Sequence, residues 1–254
     1  MIELLEELDK FSHTKFYDPT HLYHINGKKA VSTTTLIGQY KKPFDSDFWS
    51  KKKADEWGMT QQEVIDKWAL KRDIAAYKGS SVHEYLEFYL NNKLYAYKPP
   101  TEFGGTDPVR EKYDKIIPLA KKFCEDIKGR MIPVKSEVVV GDPELMIAGM
   151  IDQIFFNKKT GKLELWDWKT NQKLETETPY KLLSPIIHLS TSELHVYSLQ
   201  LSCYKYIIEK NTNLEFGDSF IVWFNEANSK YKVMKCFDFE PEIKSIIKHY
   251  QESK

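Results

Sequence analysis

The chain has 254 residues, 29% of them charged and 41% apolar, and its 37 basic and 37 acidic side chains leave a formal net charge of zero. That length holds one good-sized domain, or a domain with an appended subdomain, and the neutral balance argues against gripping duplex DNA over a large uniformly basic surface while leaving room for a local basic groove. No apolar run approaches the length of a membrane span, and Cys124, Cys203 and Cys236 lie far apart without CxxC spacing, so neither a zinc knuckle nor a four-cysteine iron–sulfur cluster can be assembled from them alone.

The acidic N-terminus, MIELLEELDKF, lacks the basic segment and cleavage site of a secretory signal, which predicts a protein that stays inside the cell with reduced, buried thiols. HLYHINGKKAVS carries two short β-like stretches around Asn26-Gly27, the strongest local hairpin signal, and STTTLIGQY follows as a capped helix start. From Asp45 to Leu90 the apolar residues recur at helical spacing in segments separated by Gly58. In KGSSVHEYLEFYL, Ser81 followed by Glu84 fits a capping box, which places His83 in a first helical turn with Glu87 one turn below it. YKPPTEFGGTDP is a loop, and a further helix spans Val109 to Lys128 with a disturbance at Pro118. Strands follow in MIPVKSEVVVG, LMIAGMIDQIFF and KLELWDWKT, then an amphipathic helix whose apolar stripe runs through Leu194, Tyr197, Leu201, Tyr204 and Ile208. SFIVWFN and KYKVMKCFDF form a second hairpin, and a short terminal helix begins near Pro241.

The hairpin GMIDQIFFNKKTGKLELWDWKT carries the chemistry. With a four-residue loop at 158–161, Asn157 faces Lys162 and the antiparallel register puts Asp152 opposite Asp167, with Lys169 on the same face. Opposed side chains in such a ladder have Cβ atoms about 4.5–5.5 Å apart. Two carboxylates that close repel by roughly 3–4 kcal/mol at an effective dielectric near 20, so a cation belongs between them. A hard divalent ion with oxygen ligands answers this better than Lys169 alone. The plainer alternative is a solvent-facing strand in which Lys169 bridges two ordinary aspartates. Against it, Asp167 interrupts an apolar strand whose Trp166 and Trp168 point to the other face, and buried charges need a reason.

Asp152 in GMID, followed by Asp167, Trp168 and Lys169 in DWK, resembles the core of the PD-(D/E)XK nuclease superfamily. GSSVHEYLE resembles the G-x-x-x-H-x-x-x-E helix of its RecB-type exonuclease branch, and QLSCY the Q-x-x-x-Y helix, in the right order along the chain. VSTTTLI is similar to a Ser/Thr-rich segment near the start of phage exonucleases and of the mitochondrial genome maintenance exonuclease. The first core position departs from a Pro-Asp pair, since Glu137 in SEVVV stands there, and the cysteines that hold an iron–sulfur cluster in some relatives are missing. The resemblance implies an α/β fold with a restriction-endonuclease-like core, a central mixed sheet flanked by helices, plus an N-terminal helical region. It divides the chain into residues 1–78, a hairpin and helical region shaping the DNA entrance, and 79–254, the nuclease core.

The resemblance further implies that His83, Asp152 and Asp167, with the backbone carbonyl of Trp168, ligate Mg²⁺ or Mn²⁺, without an iron–sulfur cluster. Lys169 would orient the attacking water and offset charge on the scissile phosphate. Glu137 holds a second metal, orients a water, or is an exposed strand residue. Glu87 accepts a hydrogen bond from His83 and fixes its tautomer, or forms an ordinary i,i+4 surface pair. Gln200 and Tyr204 share a helical face that in the branch shapes the site and contacts the nucleic-acid strand. Ser32, Thr33 and Thr34 offer hydroxyls and helix-start amides to a phosphate, though N-capping explains at least one of them. Phe44, Phe48, Trp49 and Trp57 beside Lys41, Lys42 and Lys51 to Lys53 suit a channel for single strands, or a solvated helix face. The expected function is a metal-dependent DNA exonuclease acting on single strands or ends in replication, recombination or repair, without a membrane, intracellular or phage-encoded within a bacterial host. The alternative is a non-catalytic nucleic-acid-binding module of the same fold.

Overall fold

Among the residues that the computed structural model describes, 2–17 and 20–253, eight strands share one mixed sheet with helices on both faces. The N-terminal strands β1 (Thr14–Tyr17), β2 (Leu22–Ile25) and β3 (Lys28–Ser32) form two successive antiparallel pairings. The turn between β2 and β3 uses Asn26 and Gly27 at φ 50° and 76°, the left-handed pair that a two-residue hairpin loop requires. β4 (Met131–Asp142) lies antiparallel along the whole of β5 (Ile147–Asn157), and β5 turns through 158–161 into β6 (Lys162–Lys169). β7 (Phe216–Trp223) joins β6 in parallel and β8 (Lys232–Lys235) closes the far edge antiparallel to β7.

The edges of β5 explain where a site can form. β4 occupies one edge from Ile147 to Asn157. The opposite edge is shared: β3 pairs in parallel with Ile147 and Ala148, while β6 pairs only from Gln153 onward. Residues 149–152 therefore lie in a fork where neither neighbour completes the ladder. Unsatisfied backbone in such a gap needs side-chain partners, and Asp152 supplies one.

Helix α1 (Ile2–Asp9), α2 (Thr33–Gly38), α6 (Glu193–Asn211) and α7 (Glu240–Glu252) cover one face through a core that includes Leu8, Leu36, Ile154, Leu165, Leu201 and Ile246. α4 (Gln61–Leu90) and α5 (Arg110–Ile127) cover the other through Val82, Leu86, Phe123, Phe155, Trp166 and Trp168. The two tryptophans of WDW thus point away from Asp167, as the strand period of two demands. α3 (Ser46–Trp57) starts on an Asp45 cap and stops at Gly58 with φ 65°, the left-handed stop that glycine tolerates.

Two expectations about the helices change. α4 opens on a capping box of Thr60 and Glu63 and runs unbroken through Gly79 to Leu90. His83 is therefore deep inside a long helix and not in the first turn of one capped by Ser81, which is buried. One glycine costs a helix only about 1 kcal/mol, and Gly79 gives close passage beside Thr170, whose Oγ1 would lie 3.5 Å from an added Cβ. Residues 78 and 79 lie within this helix, and the N-terminal strands join the main sheet through β3. α5 is helical straight through Pro118, and the acidic leader forms α1, which packs Leu8 into the core.

Candidate metal centre and its surroundings

The fork in the sheet, the middle of α4 and one distorted residue of β4 meet at Asp152. This residue is buried, 8% exposed. Its Oδ2 accepts a 2.6 Å hydrogen bond from the Trp168 backbone N–H, so its side chain substitutes for the ladder contact that β5 and β6 lack at this level. Its Oδ1 lies 3.5 Å from His83 Nδ1. The other ring nitrogen of His83, Nε2, donates to the Trp168 carbonyl at 3.1 Å. His83 is thereby oriented by two atoms of the hairpin that carries the acidic residues.

Glu137 completes the group. In β4 the ladder to β5 pairs Ser136 with Gln153 and Val138 with Ile151 but skips Glu137, whose φ of 48° is left-handed. Such a conformation costs a non-glycine residue of order 1–3 kcal/mol and persists only where the surroundings impose it. One donor atom each from His83, Glu137 and Asp152 lies within 4.8 Å of the others. A mixed nitrogen and carboxylate set of this size suits a divalent cation.

The charges within the cluster strain one another. Burial opposes a charge on His83, yet the charge of Asp152 and its hydrogen bond, aided by Glu137, push the imidazole up to about 9. Burial would raise Asp152, but His83, then Lys169 and the Trp168 amide, hold it below the usual aspartate value. Burial and the neighbouring Asp152 push Glu137 up to about 8. His83 and Glu137 thus favour their protonated forms, and a bound cation would compete with those protons.

Beside this group, Asp167 and Lys169 form a buried ion pair at 2.5 Å, their side chains 2% and 16% exposed. Burial, only partly offset by Lys169, pushes Asp167 up to about 6. Against the cost of burial, Asp167 and Asp152 keep Lys169 firmly protonated. Its Nζ sits 4.3 Å above the ring of Tyr197, which accepts a hydrogen bond from Asn171 Nδ2 at 2.7 Å through its hydroxyl. Neither Tyr197 nor Asn171 was expected at the site. Tyr197 was visible only as one member of the α6 stripe, seven residues before Tyr204, and its cation–π role has no separate sequence signal.

The remaining expected residues divide. Asp167 and the Trp168 carbonyl, expected as metal ligands, have Lys169 and His83 as their partners. Glu87 does not hold the imidazole, because both ring nitrogens are engaged elsewhere; it acts on Glu137 by charge. Gln200 donates to the Tyr204 hydroxyl at 2.9 Å, both are buried, and the Tyr204 ring lies against Gly149, where a Cβ would overlap it. They wall the fork from behind. Ser32 caps α2 through the Thr35 amide, and Ser32 and Thr34 line a groove of about 770 Å³ that His83, Glu137 and Glu87 also line. Thr33 is fully buried and donates to the Ala148 carbonyl at 3.2 Å, so its hydroxyl fastens α2 to β5 and is not available to a phosphate. Tyr23, from the N-terminal hairpin, lines the same groove and is pushed up to about 12 by burial and by Glu137 and Asp152; nothing in the sequence marks it. Cys124, Cys203 and Cys236 are buried free thiols. Among the described residues no helix is long and apolar enough to cross a membrane.

No family model and no curated protein matches the chain. A solved structure of a "Putative exonuclease" from Eubacterium rectale is similar to it, with 14% sequence identity and a TM-score of 0.41 over 69% of this chain. The alignment covers 65% of that protein, slightly less than two thirds of its length.

Proposed function

We infer that this protein is a divalent-metal-dependent deoxyribonuclease, related to the RecB-type branch of the PD-(D/E)XK superfamily, that hydrolyses phosphodiester bonds at DNA ends or in single strands during replication, recombination or repair. The observation that carries this reading is the convergence of donor atoms of His83, Glu137 and Asp152 within 4.8 Å of one another, beside a buried Asp167–Lys169 pair. His83, Glu137 and Asp152 would hold the ion, and the resemblance adds Asp167 and the Trp168 carbonyl around it. The imidazole favours Mn²⁺ at least as well as Mg²⁺. When bound, such an ion lowers the pKa of a coordinated water and polarises a phosphoryl oxygen.

The protein's own groups supply the rest. Lys169 keeps its proton and is held in place by Asp167 and the Tyr197 ring, so its remaining N–H bonds can be aimed at a phosphate oxygen without reorganisation. Preorganised donors of this kind stabilise developing charge more effectively than mobile ones. The Trp168 amide fixes Asp152, and the Trp168 carbonyl fixes the His83 ring, orienting two of the donors through the backbone of one residue. Gln200 and Tyr204 exclude water from behind the fork.

Incubation with end-labelled single-stranded and duplex DNA in EDTA, Mg²⁺ or Mn²⁺ tests the reading. Metal-dependent cleavage with mononucleotide or short-oligonucleotide products is expected. Binding without cleavage in every metal would instead assign the fold to a non-catalytic nucleic-acid-binding module.

A further inference from the structure

We propose that the flank of α4 facing β6 is a track for a single-stranded polynucleotide, running from Trp57 along Lys67, Lys71 and Lys112 to the strand end that bears Lys169. The proposal rests on the nuclease reading of the site and names how its substrate lies.

A groove of about 460 Å³ follows this flank. Lys67, Lys71 and Lys78 fall on one side of α4, since spacings of four and seven residues return to the same helical face. Lys112 of α5 faces them across the groove. The one carboxylate lining it, Glu226, is neutralised by Lys78 at 2.9 Å, a lysine that is itself buried. Lys67, Lys71 and Lys112 are exposed and make no ion pair among the described residues. In a chain with zero formal charge, four lysines against the single carboxylate Glu226 on one groove form a local positive field that suits a polyanion.

The groove also has the apolar surface that bases require. Leu70 is half exposed within it. Trp57, 41% exposed, lies beside the groove's Lys67, with the Lys67 and Lys53 ammonium groups 5.1 Å and 5.6 Å from its ring centroid. Lysines that follow a backbone, alternating with exposed ring faces, are the pattern for single strands, whose bases are free to stack. A duplex hides its base faces and would leave the Trp57 ring without a base to stack on. At the inner end the groove is lined by Thr170 and Asn171, the two residues after Lys169, and Asn171 holds the tyrosine over which the Lys169 ammonium sits. A phosphate leaving the inner end therefore meets the catalytic strand next.

Fluorescence anisotropy in EDTA tests the track without turnover, using oligo-dT and oligo-U about 20 nucleotides long and a duplex of the same length. The parent protein should bind single strands more tightly than duplex. The combined variant Lys67→Glu, Lys71→Glu, Lys112→Glu should bind them on the order of tenfold or more weakly, with a salt dependence shallower by about two units, from 0.7 per phosphate contact. Lys67→Arg, Lys71→Arg, Lys112→Arg should bind like the parent, and Trp57→Ala should weaken single strands and leave duplex unchanged. All four positions are on the surface, so circular dichroism should be unaltered. Parental affinity and salt slope in the glutamate variant would overturn the track, as would equal affinity of the parent for duplex. Preference for one of the two oligomers separates DNA from RNA as the natural strand. Because binding is read without metal, a parent protein that binds as described but cleaves nothing in Mn²⁺ sinks the nuclease reading alone.

Discussion

Glu137 turns out of the β4 ladder into a left-handed conformation at the level of Asp152, and the strand pairing resumes on either side of it. The distortion aims a carboxylate that burial and Asp152 have pushed up to about 8 toward the same small volume as His83. Local strain of this kind is retained where a function needs it. Glu137→Gly relieves both the backbone conformation and the buried carboxyl, so the metal-free variant should be more stable than the parent by about 1 kcal/mol, a rise in Tm of about 2–4 °C for a chain of this size. The same variant should no longer gain stability on adding Mn²⁺. Calorimetry with and without the ion measures both.

The protonation of the cluster fixes the pH dependence. His83 at about 9 and Glu137 at about 8 both stand above their ordinary values of 6.5 and 4.5. Groups with raised folded values bind protons more tightly in the folded state, so their stabilisation is complete at low pH. The Glu137 share is lost as pH rises through about 8, and the His83 share as it rises through about 9. A divalent ion must displace these protons. Its apparent affinity should therefore climb by about one to two logarithmic units per pH unit between about pH 7 and pH 8, as read by calorimetric titration in buffers of different ionisation enthalpy. Affinity independent of pH, with no proton release, would contradict the assignment of these donors.

Lys169 neutralises Asp167 in a buried pair, so removing it does more than remove a catalytic group. Breaking one partner of such a pair costs about 3–5 kcal/mol because a charge is left buried and alone. Asp167 is pushed up to about 6, mainly by burial. Lys169→Met should be strongly destabilised at alkaline pH and regain stability as pH falls, starting above about pH 6, because Lys169 is among the groups that hold the Asp167 carboxyl down to about 6 in the parent and without it the carboxyl takes up its proton at higher pH. Urea unfolding of the variant across this pH range measures this. The double variant Asp167→Asn, Lys169→Met should unfold near the parent throughout and have no nuclease activity.

Gly149 is required by the ring behind it. Any Cβ there would overlap Tyr204, which is buried and hydrogen-bonded to Gln200. Gly149→Ala should cost about 1–3 kcal/mol through overpacking, while Tyr204→Phe, which removes only the hydroxyl, should cost about 1 kcal/mol. Thermal melts rank the two.

Much of the hairpin was legible because a four-residue loop leaves little choice of register: Asn157 pairs with Lys162 and Gln153 with Trp166 as the sequence implies. The next pair was not legible. At Asp152 the ladder gives way to a bond from the Trp168 amide to a side chain, and strand periodicity carries no information about such a replacement. The His83 string located the right helix but the wrong part of it, since Ser81 and Glu84 imitate a cap inside α4, while the true cap at Thr60 and Glu63 lies twenty-one residues upstream. Nothing in SEVVV signals a left-handed glutamate, because β-branched neighbours favour the extended conformation. The pairing of β6 with β7 was equally hidden: it is parallel, and α6 separates the two strands in sequence.

The most direct measurement of the central claim is anomalous scattering from crystals soaked in Mn²⁺. A single strong peak between His83, Glu137 and Asp152, within about 2.0–2.4 Å of a donor atom of each, is the predicted result. No peak there, or a peak elsewhere with His83 still bound to Asp152, would contradict the account.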